Sequence, residues 1–242
     1  MSMARDNGPM TDTGDDGTGA ATDQPETEVL GRRSGLSWPV VVALVVAFAW
    51  LGGAFGWFIA DRPADADSVD AGFCLDMIAH HEQAVEMALL ELANGESPVV
   101  RGFAQEVVIF QQYEIGRMDE QLADWDMLRQ DRGPTAMKWM GMATPADAMP
   151  GMATKRQLDQ LRETKGAAAD ALFLDLMAEH HRGGLHMAGY AAQHAKDGDV
   201  RALAGVMKRN QSIEINEYRA TALRLGFDIE IEPWVEAKAA GH

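Results

Sequence analysis

The sequence predicts an all-α protein: an antiparallel four-helix bundle built from two duplicated helical hairpins and preceded by one transmembrane helix. Three observations carry that reading. A set of residues recurs at a constant offset of one hundred, Phe73, Met77, His80, His81, Met87 and Ala88 returning as Phe173, Met177, His180, His181, Met187 and Ala188. Downstream, Val100, Arg101, Ala104, Gln111, Glu114 and Ile115 return as Val200, Arg201, Ala204, Gln211, Glu214 and Ile215. Each copy spaces its apolar residues at helical period, and short turns separate its two halves. Finally, the stretch from Trp38 to Ala60 has no charged residue.

The elements follow in chain order. Residues 1–35 are polar, with seven acidic residues against Arg5, Arg32 and Arg33, a composition that cannot bury enough apolar surface to fold. They are expected to be a disordered, acidic, cytoplasmic tail. Residues 36–60 read as an anchor, because an uncharged run of this length can cross a hydrocarbon core of about 30 Å. Trp38 and Trp57 stand near its ends, and Arg32 and Arg33 before it place the N-terminus inside and the remainder outside the cytoplasm. A cleaved signal peptide is the alternative, with Ala64-Asp65-Ala66 as its site. Residues 61–71 are a linker.

The bundle is expected over 72–226. In the first hairpin, 72–130, Asn94-Gly95 ends one helix, and Ser97-Pro98 supplies an N-cap and N1 proline for a second that runs to about Arg129. A Met-rich connector and a short helix fill 131–165, where Thr144-Pro145 could cap one turn and Leu158 and Leu161 face inward. In the second hairpin, 166–226, Asp197-Gly198-Asp199 makes the turn. Connections this short force antiparallel neighbours. Residues 227–242 are a tail, with Phe227 to Ile231 the one segment resembling a strand.

Composition narrows the function. A net charge of −16 excludes a basic nucleic-acid face and suits a domain that meets cations. A single cysteine, Cys74, forms no internal disulfide, and without a CxxC there is no thiolate route to a metal. The partners expected are thus a metal ion and a membrane, with no nucleic acid.

The chemistry lies in the repeat. On one helical face fall Met77, His80, His81, Ala84, Met87 and Ala88, and on its copy Met177, His180, His181, Gly184, Met187 and Ala188. Ala84 and Gly184 leave room beside the imidazoles. On the partner helices Gln111 and Glu114, and Gln211 and Glu214, are placed to accept ring N–H bonds, fixing the tautomers and freeing the other nitrogens. Position i−3 of every histidine lacks Glu, and at His80 and His180 it is Met77 and Met177. Thioether with imidazole selects copper, Cu(I) ahead of Cu(II), over iron, zinc or magnesium. Each copy is expected to hold its own metal. A purely structural layer of hydrogen-bonded His and Glu is the competing reading, with the methionines as core filler. His186, on the opposite face, is expected to be exposed, and Cys74 to be a buried, inert thiol.

The strings FCLDMIAHHEQAVEMA, QQYEIGRM, MPGM and FLDLMAEHHRGGLHMA resemble the ferritin-like bacterial family called domain of unknown function 305, over about residues 70–226. The resemblance implies a helical bundle, exported or membrane-anchored, some of whose members bind copper in the periplasm. It carries Met77, His80, His81, Met87, Met177, His180, His181 and Met187 over as candidate ligands, with Gln111, Glu114, Gln211 and Glu214 behind them. The chain departs from the pattern at Cys74, Glu179, Gly183-Gly184-Leu185 and Tyr218. The expected function is a membrane-anchored, extracytoplasmic metal-binding protein for copper sequestration or transfer. A ferritin-like metal-dependent oxidase is the alternative, as is a non-metal scaffold of a membrane complex.

Overall fold

The computed structural model describes residues 36–60 and 65–235. The expected tail over 1–35, the start of the linker and the last seven residues lie outside the described residues. The chain divides into two compact units, Met1–Phe55 and Gly56–His242.

The first helix, α1, is Trp38–Ala60, with side chains described as far as Ala54. Among the described residues, no helix is long and apolar enough to cross a membrane. On that finding the single-pass cell-membrane location is corrected, and the transmembrane anchor expected over 36–60 is not borne out.

The second unit is helical. Its helices are α2 (Val69–Asn94), α3 (Pro98–Asp124), α4 (Lys155–Glu163), α5 (Ala167–His194) and α6 (Gly198–Leu225). Side-chain caps set the starts of four of them. Ser68, Ser97, Thr154 and Asp197 accept from backbone N–H groups of the first turns of α2, α3, α4 and α6. Three-residue turns join α2 to α3 and α5 to α6, so each copy is an antiparallel hairpin. The hairpins pack mainly through α2 and α5.

Two aspartates hold the copies head to tail. Asp70, at the start of α2, accepts from the N–H groups of Lys196 and Asp197 at 3.2 and 2.7 Å. Asp170, at the start of α5, accepts from Glu96 at 3.2 Å and from Ser97 at 3.0 Å. Each carboxylate thus sits at the N-terminus of the other copy's second helix, where the macrodipole favours an anion. The reciprocity requires α2 and α5 to run antiparallel.

Beside Asp170 the copies differ. Glu91 is fully buried against it, where the second copy has Ala191. Burial, then the hydrogen bond to Asp170 and its charge, push the Glu91 carboxyl up to about 9. It is a neutral acid at pH 7 beside Asp170. A carboxyl raised in the folded state contributes stability that is fully present below its ordinary value near 4.5 and is lost as pH rises towards 9. Glu91→Gln should therefore lose less melting temperature between pH 5 and pH 9 than the parent protein. Parallel pH profiles for the two proteins would refute the raised Glu91 carboxyl.

The connector is not all helix. Thr135–Ala136 (β1) pairs antiparallel with Thr144–Pro145 (β2), a ribbon the helical periodicity did not foretell. Phe227 to Ile231 forms no strand. Ile231 is buried, and Phe227 and Ile229 pack on the core. Asn216 holds the segment by accepting from the Trp234 N–H at 3.0 Å.

Candidate metal centre

Helix α2 buries Met77, His80, His81, Ala84, Met87 and Ala88, and α5 buries Met177, His180, His181, Gly184, Met187 and Ala188. Because the two helices are antiparallel, their motifs cross. Met77 joins Met187 in one apolar cluster, and Met87 joins Met177 in the other. The histidine layer lies between. His80 and His180 face each other with ring centroids 3.8 Å apart and planes tilted by 34°. The two copies therefore meet in one layer, not in two separate faces, because the crossing point of α2 and α5 falls at the histidines.

All four imidazoles are at most 1 % exposed. His81 donates from Nε2 to Glu114 Oε2 at 2.9 Å, and His181 from Nε2 to Glu214 Oε2 at 2.6 Å. His80 donates from Nε2 to the carbonyl of Pro150 at 3.3 Å. An acceptor oxygen at Nε2 places the proton there, so Nδ1 carries a bare lone pair in all three rings. Each of those Nδ1 atoms is buried without a hydrogen bond, and neither nitrogen of His180 makes one. The Oε1 atoms of Gln111 and Gln211 are likewise buried and unpaired.

The electrostatics keep the facing pair, His80 and His180, neutral. Burial first, then the neighbouring His81, lower His80 to about 3. Burial and His80 hold His180 well below the ordinary imidazole range. Burial raises Glu214, but the hydrogen bond from His181 and the electrostatic pull of His181 and His81 together outweigh it, and the net shift is downward, which keeps that carboxylate charged. Tyr218, where the first copy has Met118, places its hydroxyl 3.5 Å from His181 Nε2. Cys74 is buried, and burial pushes its thiol far up, so it is inert at neutral pH. His186 is exposed.

Sequence reasoning missed the course of the connector. Asp76, His80 and Gln83, at i, i+4 and i+7, form a polar rail on α2. Arg132 Nε, Met137 N–H and Trp139 Nε1 all donate to Asp76, at 2.9, 2.7 and 2.9 Å. Gln83 both donates to and accepts from Ala153, at 2.9 and 2.6 Å. Between them Pro150-Gly151 crosses the histidines and packs on α5, so closely that a Cβ on Gly183 would lie 1.9 Å from the Pro150 oxygen. This buries Met149, and Met152 packs half-buried beside it. The space at Gly184 is taken by the Gln211 amide, 2.3 Å from where a Cβ would be, and not by an imidazole.

The family model for a domain of unknown function, DUF305, matches residues 70–222. The chain belongs to the DUF305 family. Among solved structures it is similar to a DUF305 protein from Streptomyces coelicolor, with 36% identity over 67% of this chain and 96% of that one, and a TM-score of 0.63. A DUF305 fragment from Deinococcus radiodurans shares 24% identity over 67% of this chain and 99% of that one, at a TM-score of 0.57. CopM in its Cu(I)-bound form shares 23% identity over 64% of this chain and 96% of that one, at 0.49. No curated protein matches the sequence.

Among the described residues no three His, Cys, Asp or Glu side chains converge as a set able to hold a metal ion. Carboxylates are engaged by His81 and His181, and the donors left over in the layer are imidazole nitrogens. The other Lewis-basic side chains on the same two helical faces are thioethers.

Proposed function

We propose that this DUF305 protein binds a soft metal ion, Cu(I) ahead of Cu(II), and serves to sequester or transfer it. The observation that carries the reading is the set of unpaired, buried imidazole nitrogens. A structural polar layer pairs its buried donors and acceptors, since each orphan costs about 1–3 kcal/mol. Here the Nδ1 atoms of His80, His81, His180 and His181 all lack partners, as ligands held ready for a cation would.

The donor set fits that cation. Metal ligation requires neutral imidazole, and burial supplies it at His80 and His180. Glu114 and Glu214 orient two rings from behind and raise their basicity. Met77, Met87, Met177 and Met187 offer uncharged soft donors in the clusters on either side of the layer. Nitrogen and thioether without thiolate favours copper over zinc and hard cations.

The test is competition on the purified chain. Cu(I), buffered by a chromophoric chelator under anaerobic conditions, should be bound more tightly than Zn(II), and one equivalent should saturate the layer. Zinc preference would overturn the soft-donor argument, and no uptake of either metal would return the layer to a structural role.

A further inference from the structure

The four histidines are closed off from solvent, so a cation must reach them through a particular opening. Helices α3 and α6 pack sparsely, and between them runs a groove of about 370 Å³. Phe110, Tyr113, Glu114, Asp199, Leu203 and Val206 are among the residues that line it. Glu114 belongs to both places: it lines the groove, and its Oε2 accepts from His81 Nε2.

The duplication explains why the groove exists on one flank. In the other half, Phe103 of α3 and Tyr218 of α6 pack edge to face with centroids 5.2 Å apart. That pair bridges α3 and α6 on the side of His181. At the offset of one hundred, Leu203 stands for Phe103 and Met118 for Tyr218. Two aromatic rings are replaced by two aliphatic chains, which fill less width, and Leu203 is itself a groove wall. The aromatic residues at the mouth, Phe110 and Tyr113, are more than half exposed. Glu114 and Asp199 set two acidic groups in the lining against one guanidinium, that of Arg117, which donates to the Tyr113 hydroxyl at 3.2 Å, so the acidic balance suits a cation.

We propose that the α3/α6 groove is the port through which the metal ion reaches the histidine layer, entering past Glu114 beside the His81 ring. This rests on the reading of the layer as a soft-metal site. The port concerns rate, whereas that reading concerns equilibrium, and the two are separable. Val206, on the rim and 37% exposed, tolerates a larger side chain without disturbing the core. Leu203→Phe restores half of the plug found on the opposite flank.

The experiment follows transfer of Cu(I) from its complex with a chromophoric chelator by stopped-flow absorbance, and measures affinity by equilibrium titration with the same chelator. Val206→Trp and Leu203→Phe should each slow uptake by about tenfold or more, as an obstructed approach lowers an on-rate. Affinity should stay within about twofold of the parent, because rates in and out fall together. Unchanged uptake in Val206→Trp overturns the port. Slowing matched by an equal loss of affinity also overturns it, since the groove would then be part of the site. A parent chain that takes up no Cu(I) at equilibrium defeats the reading of the histidine layer instead.

Discussion

His180→Leu should raise the melting temperature of the metal-free protein and abolish tight Cu(I) binding. The two effects share one cause. His180 is 1 % exposed and neither of its nitrogens is hydrogen-bonded. An unsatisfied buried polar group costs about 1–3 kcal/mol, and an apolar group of similar volume removes that cost. In a domain of this size the gain corresponds to roughly 2–8 °C. Metal binding loses a donor at the centre of the layer, where the His180 ring lies 3.8 Å from that of His80. Loss of an outer-shell partner alone weakens binding by about 10–100-fold, and removing a ligand exceeds that. The shared layer also changes what paired replacements do. Either His80 with His81, or His180 with His181, should remove nearly all bound copper, where two independent faces would each keep half. Thermal melts of the metal-free variant together with equilibrium Cu(I) titration check both halves. A lowered melting temperature with copper uptake intact is the outcome of a structural layer and would sink the proposal.

Much of this arrangement was legible in the sequence because the duplication writes its constraints twice. The helices, the cap at Ser97, the turn at Asp197, and the inward faces bearing Met77 to Ala88 and Met177 to Ala188 follow from period and spacing. Which imidazoles Glu114 and Glu214 would meet does not, and the fold brings them to His81 and His181. The convergence on one layer was not legible. Periodicity shows which residues share a face but not which face meets which, and only the antiparallel crossing of α2 and α5 sets His80 on His180. The connector escaped for a related reason. Its course is fixed by single hydrogen bonds to Asp76, His80 and Gln83, and a carbonyl such as that of Pro150 leaves no mark in sequence. A signal was present, because three polar residues at i, i+4 and i+7 on an otherwise buried face need partners. The apolar run at Trp38–Ala60 shows the opposite failure: an uncharged run flanked by Trp and Arg predicts a span, and among the described residues no helix is long and apolar enough to make one.

The aspartate clasp was also written twice, and it carries the largest expected effect on stability. Asp70 and Asp170 stand one hundred residues apart, each in the first turn of its helix, and nothing in the sequence singles them out. In the fold each leaves its own helix and accepts two backbone N–H groups from the opposite copy. A hydrogen bond to a charged group contributes about 1.5–3 kcal/mol, so Asp→Ala at either site should cost about 3–5 kcal/mol. That corresponds to a fall in melting temperature of roughly 10 °C or more. The two clasps lie at opposite ends of α2, some twenty residues or about 30 Å apart along the helix. Separated sites without shared partners add, so Asp70→Ala with Asp170→Ala should leave little or no folded protein at 25 °C. The single variants are not equivalent. Asp170→Ala also removes the charge beside Glu91, which is one of the causes of that acid's raised value. Its deficit should therefore shrink as pH rises from 5 to 9, while that of Asp70→Ala stays level. Denaturant melts of both variants across that range provide the check. Equal, pH-independent losses would show that Asp170 does not raise Glu91, and losses below about 0.5 kcal/mol, the scale of surface substitutions, would remove the clasp from the account of what joins the copies.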